Sequence, residues 1–154
     1  MRKKALALAL VLAAATATSA FAAGPLGLTG FGIYGSVGST AGKLGGGTGL
    51  SLKWGSFPVV GLQYNFTASK VNASLDYYVI DAEGLGASVS YFLGAGVYAG
   101  AGADAFDFGL RITPGLQFWP IKKVEIYGAP VVSIPIIPTP SFALGAEFGL
   151  RIRF

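Results

Sequence analysis

Eight charged side chains are set one at a time into otherwise apolar stretches of the chain: Lys53, Asp76, Asp107, Arg111, Glu125, Glu147, Arg151 and Arg153. Groups spaced in this way can pair with one another, line a path for ions, or move protons as acid and base. The last is the weakest of the three, because the chain has no histidine and no cysteine to serve as base, relay or nucleophile near neutral pH. The carboxylates lack the close spacing of a metal site. Gly45-Gly46-Gly47 is not followed by the Lys-Ser/Thr of a phosphate loop and is expected to be a flexible connection. No enzymatic activity, cofactor or metal is therefore expected.

What positions the charges is a period of two. Across residues 141–154 every even position, Phe142, Leu144, Ala146, Phe148, Leu150, Ile152 and Phe154, is apolar, and the odd positions hold Ala143, Gly145, Glu147, Gly149, Arg151 and Arg153. A helix would scatter these charges around its circumference, whereas a strand puts all three on one face. The length suits a tilted strand crossing a bilayer, for which about ten residues are needed.

The same alternation recurs upstream. Residues 29–38 set Phe31, Ile33 and Val37 against Gly30, Gly32, Tyr34 and Ser36, with a Gly-rich loop expected at 39–46. Residues 47–55 set Leu50, Leu52 and Trp54 against Ser51 and Lys53, and 59–66 place Val60, Leu62, Tyr64 and Phe66 on the apolar side. Residues 71–80 alternate Val71, Leu75, Tyr77 and Val79 with Asn72, Ser74, Asp76 and Tyr78, and Asp81-Ala82-Glu83-Gly84 has the composition of a tight turn. Residues 85–99 carry Val89, Tyr91, Leu93 and Val97 opposite Ser88, Ser90, Gly94 and Gly96, a small inner face. Residues 106–119 put Phe106, Phe108, Leu110, Ile112, Leu116 and Phe118 on even positions with Asp107, Arg111 and Gln117 between. Turns at 120–122 and 135–140 bound a seventh segment, 123–134. Pro114 and Pro130 lie inside strands, where neither can donate to a ladder, so each is expected at a bulge or kink, with Pro114 about opposite Gly128.

Residues 1–22 form a signal peptide: Arg2, Lys3 and Lys4, then the apolar run 5–15, then Ala20-Phe21-Ala22 as the cleavage site. Without these three bases the mature chain, 23–154, holds 8 basic against 7 acidic residues, which is no electrostatic footprint for nucleic acid. With no cysteine there is neither a lipid anchor nor a disulfide scaffold.

Eight alternating segments in an exported chain predict an all-β, eight-stranded antiparallel transmembrane β-barrel, monomeric, with both termini periplasmic and lipid as the partner of its apolar face. Aromatics near strand ends, Trp54, Phe118 and Trp119 on one rim and Tyr64, Phe66, Phe106 and Phe142 on the other, are expected to form membrane girdles. Such a barrel is only wide enough for side chains to fill, so the eight charges are expected to face inward and pair across the lumen. Counting from a hairpin centred near Pro138 puts Glu125 across from Arg151. A narrow diffusion pore and a soluble exported barrel around an apolar ligand are the alternatives.

The architecture is similar to the eight-stranded barrels of outer membrane proteins A and X. It more closely resembles a small outer-membrane barrel family best known from spirochaetes. That resemblance rests on Gly49-Leu50-Ser51-Leu52-Lys53-Trp54, Leu110-Arg111-Ile112-Thr113-Pro114-Gly115-Leu116, Val124-Glu125-Ile126-Tyr127-Gly128-Ala129-Pro130 and Gly149-Leu150-Arg151-Ile152-Arg153-Phe154. It implies location in the outer membrane of a diderm bacterium, and it makes Phe154 the aromatic ending read by the barrel assembly machinery. Outer-membrane barrel enzymes resemble one another in relying on a histidine, which this chain lacks.

Overall fold

The computed structural model describes residues 29–40, 43–85, 88–103, 106–121 and 123–154. The signal peptide expected at 1–22 lies outside the described residues. The strands are β1 (Thr29–Thr40), β2 (Lys43–Trp54), β3 (Val59–Asn65), β4 (Lys70–Gly84), β5 (Val89–Gly102), β6 (Phe106–Ile121), β7 (Val124–Ile137) and β8 (Ala143–Arg153). Each pairs antiparallel with its neighbours in sequence, and β1 pairs with β8, so the sheet closes on itself as an eight-stranded barrel without a free edge.

The alternation decides which face is which. Ile33, Leu62, Val79, Leu116, Leu144, Phe148 and Ile152 all lie outward and exposed, whereas Lys53, Thr113, Gln117, Glu125, Arg151 and Arg153 are buried inside. This is the reverse of a barrel built to hold an apolar ligand. A continuous apolar belt of this kind is far larger than a water-soluble monomer normally exposes.

Several boundaries differ from the expectation. The Gly-rich run is strand, not loop: Gly45, Gly46 and Gly47 face Gly38, Val37 and Ser36 of β1. Glycine carries no side chain to show the alternation, yet its backbone pairs like any other. Residues 81–84 belong to β4, and the turn lies beyond them, closed by the Leu85 amide donating to the Val89 carbonyl at 2.9 Å. In between, the β4–β5 register shifts twice, after Tyr78 and again after Ile80, and Ala82 takes a left-handed φ of 54°. The bulge switches the phase, so that Asp81, at an odd position, turns inward. Pro120 and Ile121 extend β6, and Pro135, Ile136 and Ile137 extend β7.

Pro114 does not stand opposite Gly128. Gly128 faces Leu116, and Ile112 faces Val132, a register that sets Pro114 opposite Pro130. The hairpin is centred between Ile121 and Val124, later than residue 121, and the irregularity between Phe118 and Ile121 then shifts the pairing back by one. Two residues that cannot donate thus face one another, and the β6–β7 pairing is interrupted at that height.

Inside, large and small residues complement each other. A Cβ at Gly115 would strike the Phe92 ring, one at Gly149 the Tyr127 ring, and one at Gly94 the Thr113 hydroxyl, with the Tyr78 ring close beside it. The β5 inner face is consequently not small, since Phe92 fills the space that Gly115 leaves. Gly115→Val is expected to destabilise the barrel by about 1 to 3 kcal/mol through overpacking. Its cost should fall in a Phe92→Ala background. Urea unfolding of the single and double variants checks this, and equal costs in both backgrounds would contradict the packing.

Candidate functional site

The lumen is divided along its axis. At the end holding the termini, side chains fill it; at the end of the β1–β2, β3–β4, β5–β6 and β7–β8 hairpins it opens as a cup of about 890 Å³.

The filled half, the floor, is a hydrogen-bonded layer. The β7–β8 register places Glu125 directly across from Arg151. Arg151 Nη1 donates to Glu125 Oε1 at 2.9 Å, its Nε to Ser51 Oγ at 2.9 Å, and its guanidinium lies 3.8 Å from the centre of the Tyr127 ring. The other Glu125 oxygen pairs with Arg153 Nη1 at 3.1 Å. Glu125 also accepts from Gln117 Nε2 at 3.0 Å, Gln117 Oε1 accepts from Ser90 Oγ at 3.0 Å, and Ser90 Oγ accepts from Trp119 Nε1 at 2.9 Å. Across the lumen, Lys53 Nζ donates to Asp81 Oδ2 at 2.5 Å and to the carbonyl of Gly55 at 2.6 Å. Gly55 ends the strand with a φ of 65°, a conformation that favours glycine. Tyr78 and Phe92 stack at 4.6 Å between these charged groups, and Tyr127 meets Phe92 edge-on at 6.3 Å.

Above the floor lies a second charged layer. Arg111 reaches Glu147 Oε2 at 2.6 Å and Asp76 Oδ1 at 3.2 Å. Between the two layers is a space of about 10 Å³, bounded by Tyr34, Ser51, Asp76, Arg111, Glu147 and Arg151, which is room for about one water molecule. Higher still, at the cup wall, Lys70 pairs with Asp107 at 2.6 Å.

All eight charges singled out in the sequence therefore face the interior, in three groups: Lys53, Glu125, Arg151 and Arg153 in the floor, Asp76, Arg111 and Glu147 above it, and Asp107 in the cup. Two participants are new. Lys70 falls between the alternating segments 59–66 and 71–80, and Asp81 in the expected turn; the register shift that flips the phase of β4 hides Asp81 from the alternation. Of the aromatic girdle, Trp54, Phe118, Tyr64, Phe66 and Phe142 are exposed on the outer surface, as is Phe154. Phe106 also borders the cup. Trp119 is not a girdle residue: its indole hydrogen-bonds to Ser90 and lies 5.7 Å from the Arg153 guanidinium, at the inner side of the rim. Its odd position on β6 was the available signal.

The chain is similar in structure to the N-terminal β-barrel domain of Pseudomonas aeruginosa OprF, with a TM-score of 0.54 and 13% identity over 81% of this chain and 97% of that one. A de novo designed protein, TMB2.3, aligns with a TM-score of 0.47 and 12% identity over 82% of this chain and 94% of the designed one. No protein-family model matches the sequence, and no curated protein matches it. At 13% identity the likeness to the OprF domain is one of fold alone: a closed eight-stranded antiparallel barrel.

Glu125 is the shared partner of two guanidiniums in a water-poor layer. Glu125→Gln or Arg151→Met should each cost about 3 to 5 kcal/mol by leaving a buried charge without its partner, and the double variant should cost less than the sum. Urea unfolding in liposomes measures the cycle. Additive losses would mean that the layer is wet enough to solvate each charge alone.

Proposed function

We propose that the chain is an integral outer-membrane β-barrel of a diderm bacterium, exported by a cleaved signal peptide at residues 1–22, monomeric, with both termini periplasmic. Its role is structural or binding, and it neither catalyses a reaction nor conducts solutes. The observation that carries this reading is the floor. Lys53, Tyr78, Phe92, Thr113, Gln117, Glu125, Arg151 and Arg153 are all but completely buried across the lumen, and only the 10 Å³ space separates them from the layer above. A hydrated ion has no continuous path.

The outer belt supports the membrane assignment, and the lumen chemistry supports the absence of catalysis, because each charged group is engaged with another rather than poised against an open reacting centre. Exposed Phe154 at the end of the closing strand supports its role as an assembly signal for the barrel assembly machinery. Kinship with the spirochaete-type family is supported by the four sequence motifs alone.

Two measurements test the reading. The protein should stay with membranes through an alkaline carbonate wash; release would favour a soluble exported barrel. Reconstituted in a planar bilayer it should show no stable conductance steps above baseline. Regular single-channel steps would overturn the closed floor and favour the small diffusion pore.

A further inference from the structure

The whole chain contains four side-chain carboxamides: Gln63, Asn65, Asn72 and Gln117. Gln117 is spent in the floor, and the other three line the cup on the adjacent strands β3 and β4. Gln63 faces Asn72 across the ladder, and Asn65 faces Lys70. Going around the wall, Asn72 faces Gly100 and Gly100 faces Asp107. Gly100 is a notch between two planar groups, since a Cβ there would collide with an oxygen of Asn72 and an oxygen of Asp107. Lys70 holds Asp107 at 2.6 Å from the side, and Tyr98, two residues from Gly100 on the same strand face, also lines the cup.

Gln63 donates to Ser36 Oγ and Asn65 Oδ1 accepts from the Ala68 amide at 2.9 Å, so each keeps only part of its capacity for a ligand, whereas Asn72 is presented whole to the cavity. Among the described residues, the side chains of Asn72, Ser74, Tyr98 and Ser133 make no hydrogen bond to the wall around them. Among the described residues that line the cup each charge is paired, Lys70 with Asp107 and Arg111 with Glu147. An ion entering would lose hydration and, among the described residues, meet charges already engaged with one another. A molecule rich in hydroxyl groups would find amides that both donate and accept, a carboxylate that accepts, an ammonium that donates, and an aromatic face for its C–H groups. The volume of about 890 Å³ lies within the range of ligand sites, roughly 300 to 1,000 Å³.

We infer that the cup is a binding site for a neutral, polyhydroxylated ligand, a short glycan, with a vicinal diol held between Asn72 and Asp107 across the Gly100 notch and the sugar ring against Tyr98. This goes beyond the membrane reading, which concerns the outer face and the floor; conductance tests that reading and is not used here.

The four carboxamides are the natural reporters. In protein refolded into dodecylphosphocholine micelles, which carry no sugar, maltotriose should shift the side-chain amide resonances of Asn72, Asn65 and Gln63 saturably and leave Gln117 in place. Asn72→Ala and Gly100→Ala should each weaken that binding by about tenfold or more while unfolding and gel migration stay those of the parent barrel. Gly100→Ala is the second, independent variant, because its methyl group displaces only the ends of side chains. Shifts with free maltotriose assign a soluble glycan, and shifts only with a lipid-anchored maltotriose in the same micelles assign a glycan of the membrane surface. No shift with either, equal shifts at Gln117, or shifts produced by the dipeptide lysyl-glutamate and not by the sugar would each overturn the inference.

Discussion

The structure depends on one constraint: the filled half of the barrel leaves almost no room for water around a charge, so each charge placed there must bring its partner. Among the described residues ten ionised side chains occupy this lumen, and all ten are paired: Lys53 with Asp81, Lys70 with Asp107, Arg111 with Asp76 and Glu147, and Glu125 with Arg151 and Arg153. Five are basic and five acidic, so these ten carry no net charge together. Buried pairs of this kind are weak contributors to net stability, because desolvation offsets most of their attraction. What they impose is register. A slip of one residue in any strand would send its charges to the apolar side and its aliphatic side chains into the lumen.

Glycines and aromatics settle how the lumen is filled. Backbone-only positions such as Gly94, Gly115 and Gly149 allow the Tyr78, Phe92 and Tyr127 rings to reach the axis from neighbouring strands. The rings and guanidiniums together make a solid floor. Towards the hairpin end the inward residues become serines, amides and glycines, which leave the cup open. One barrel thus carries two interiors: a closed half that fixes the fold, and an open half free to meet a ligand.

Much of this was legible in the sequence. Alternation gives eight strands and the inward set of eight charges, and with a hairpin centred near Pro138 it gives the opposition of Glu125 and Arg151. Alternation fails where the period is broken or silent. Asp81 escaped because the register shift between Tyr78 and Ile80 turns an odd position inward, and Gly45 to Gly47 looked like a loop because glycine shows no sidedness. Trp119 was misjudged for a different reason: aromatic character suggested the lipid face, while its odd position on β6 already placed it inside; Phe92 was left out of the inner face of β5, although its even position belongs there. The cup could not be foreseen, since it follows from side-chain lengths summed around a closed ring.

The central claim is that the floor is sealed and the cup is open, and the absence of native cysteine makes it directly measurable. Single cysteines at Ser133 in the cup and at Thr113 in the floor should be exposed to a membrane-impermeant thiol reagent in reconstituted vesicles, with the reagent present on both sides. The cysteine at position 133 should react quickly, and the one at 113 should stay unmodified until the barrel is unfolded. Comparable rates at the two positions would contradict the account.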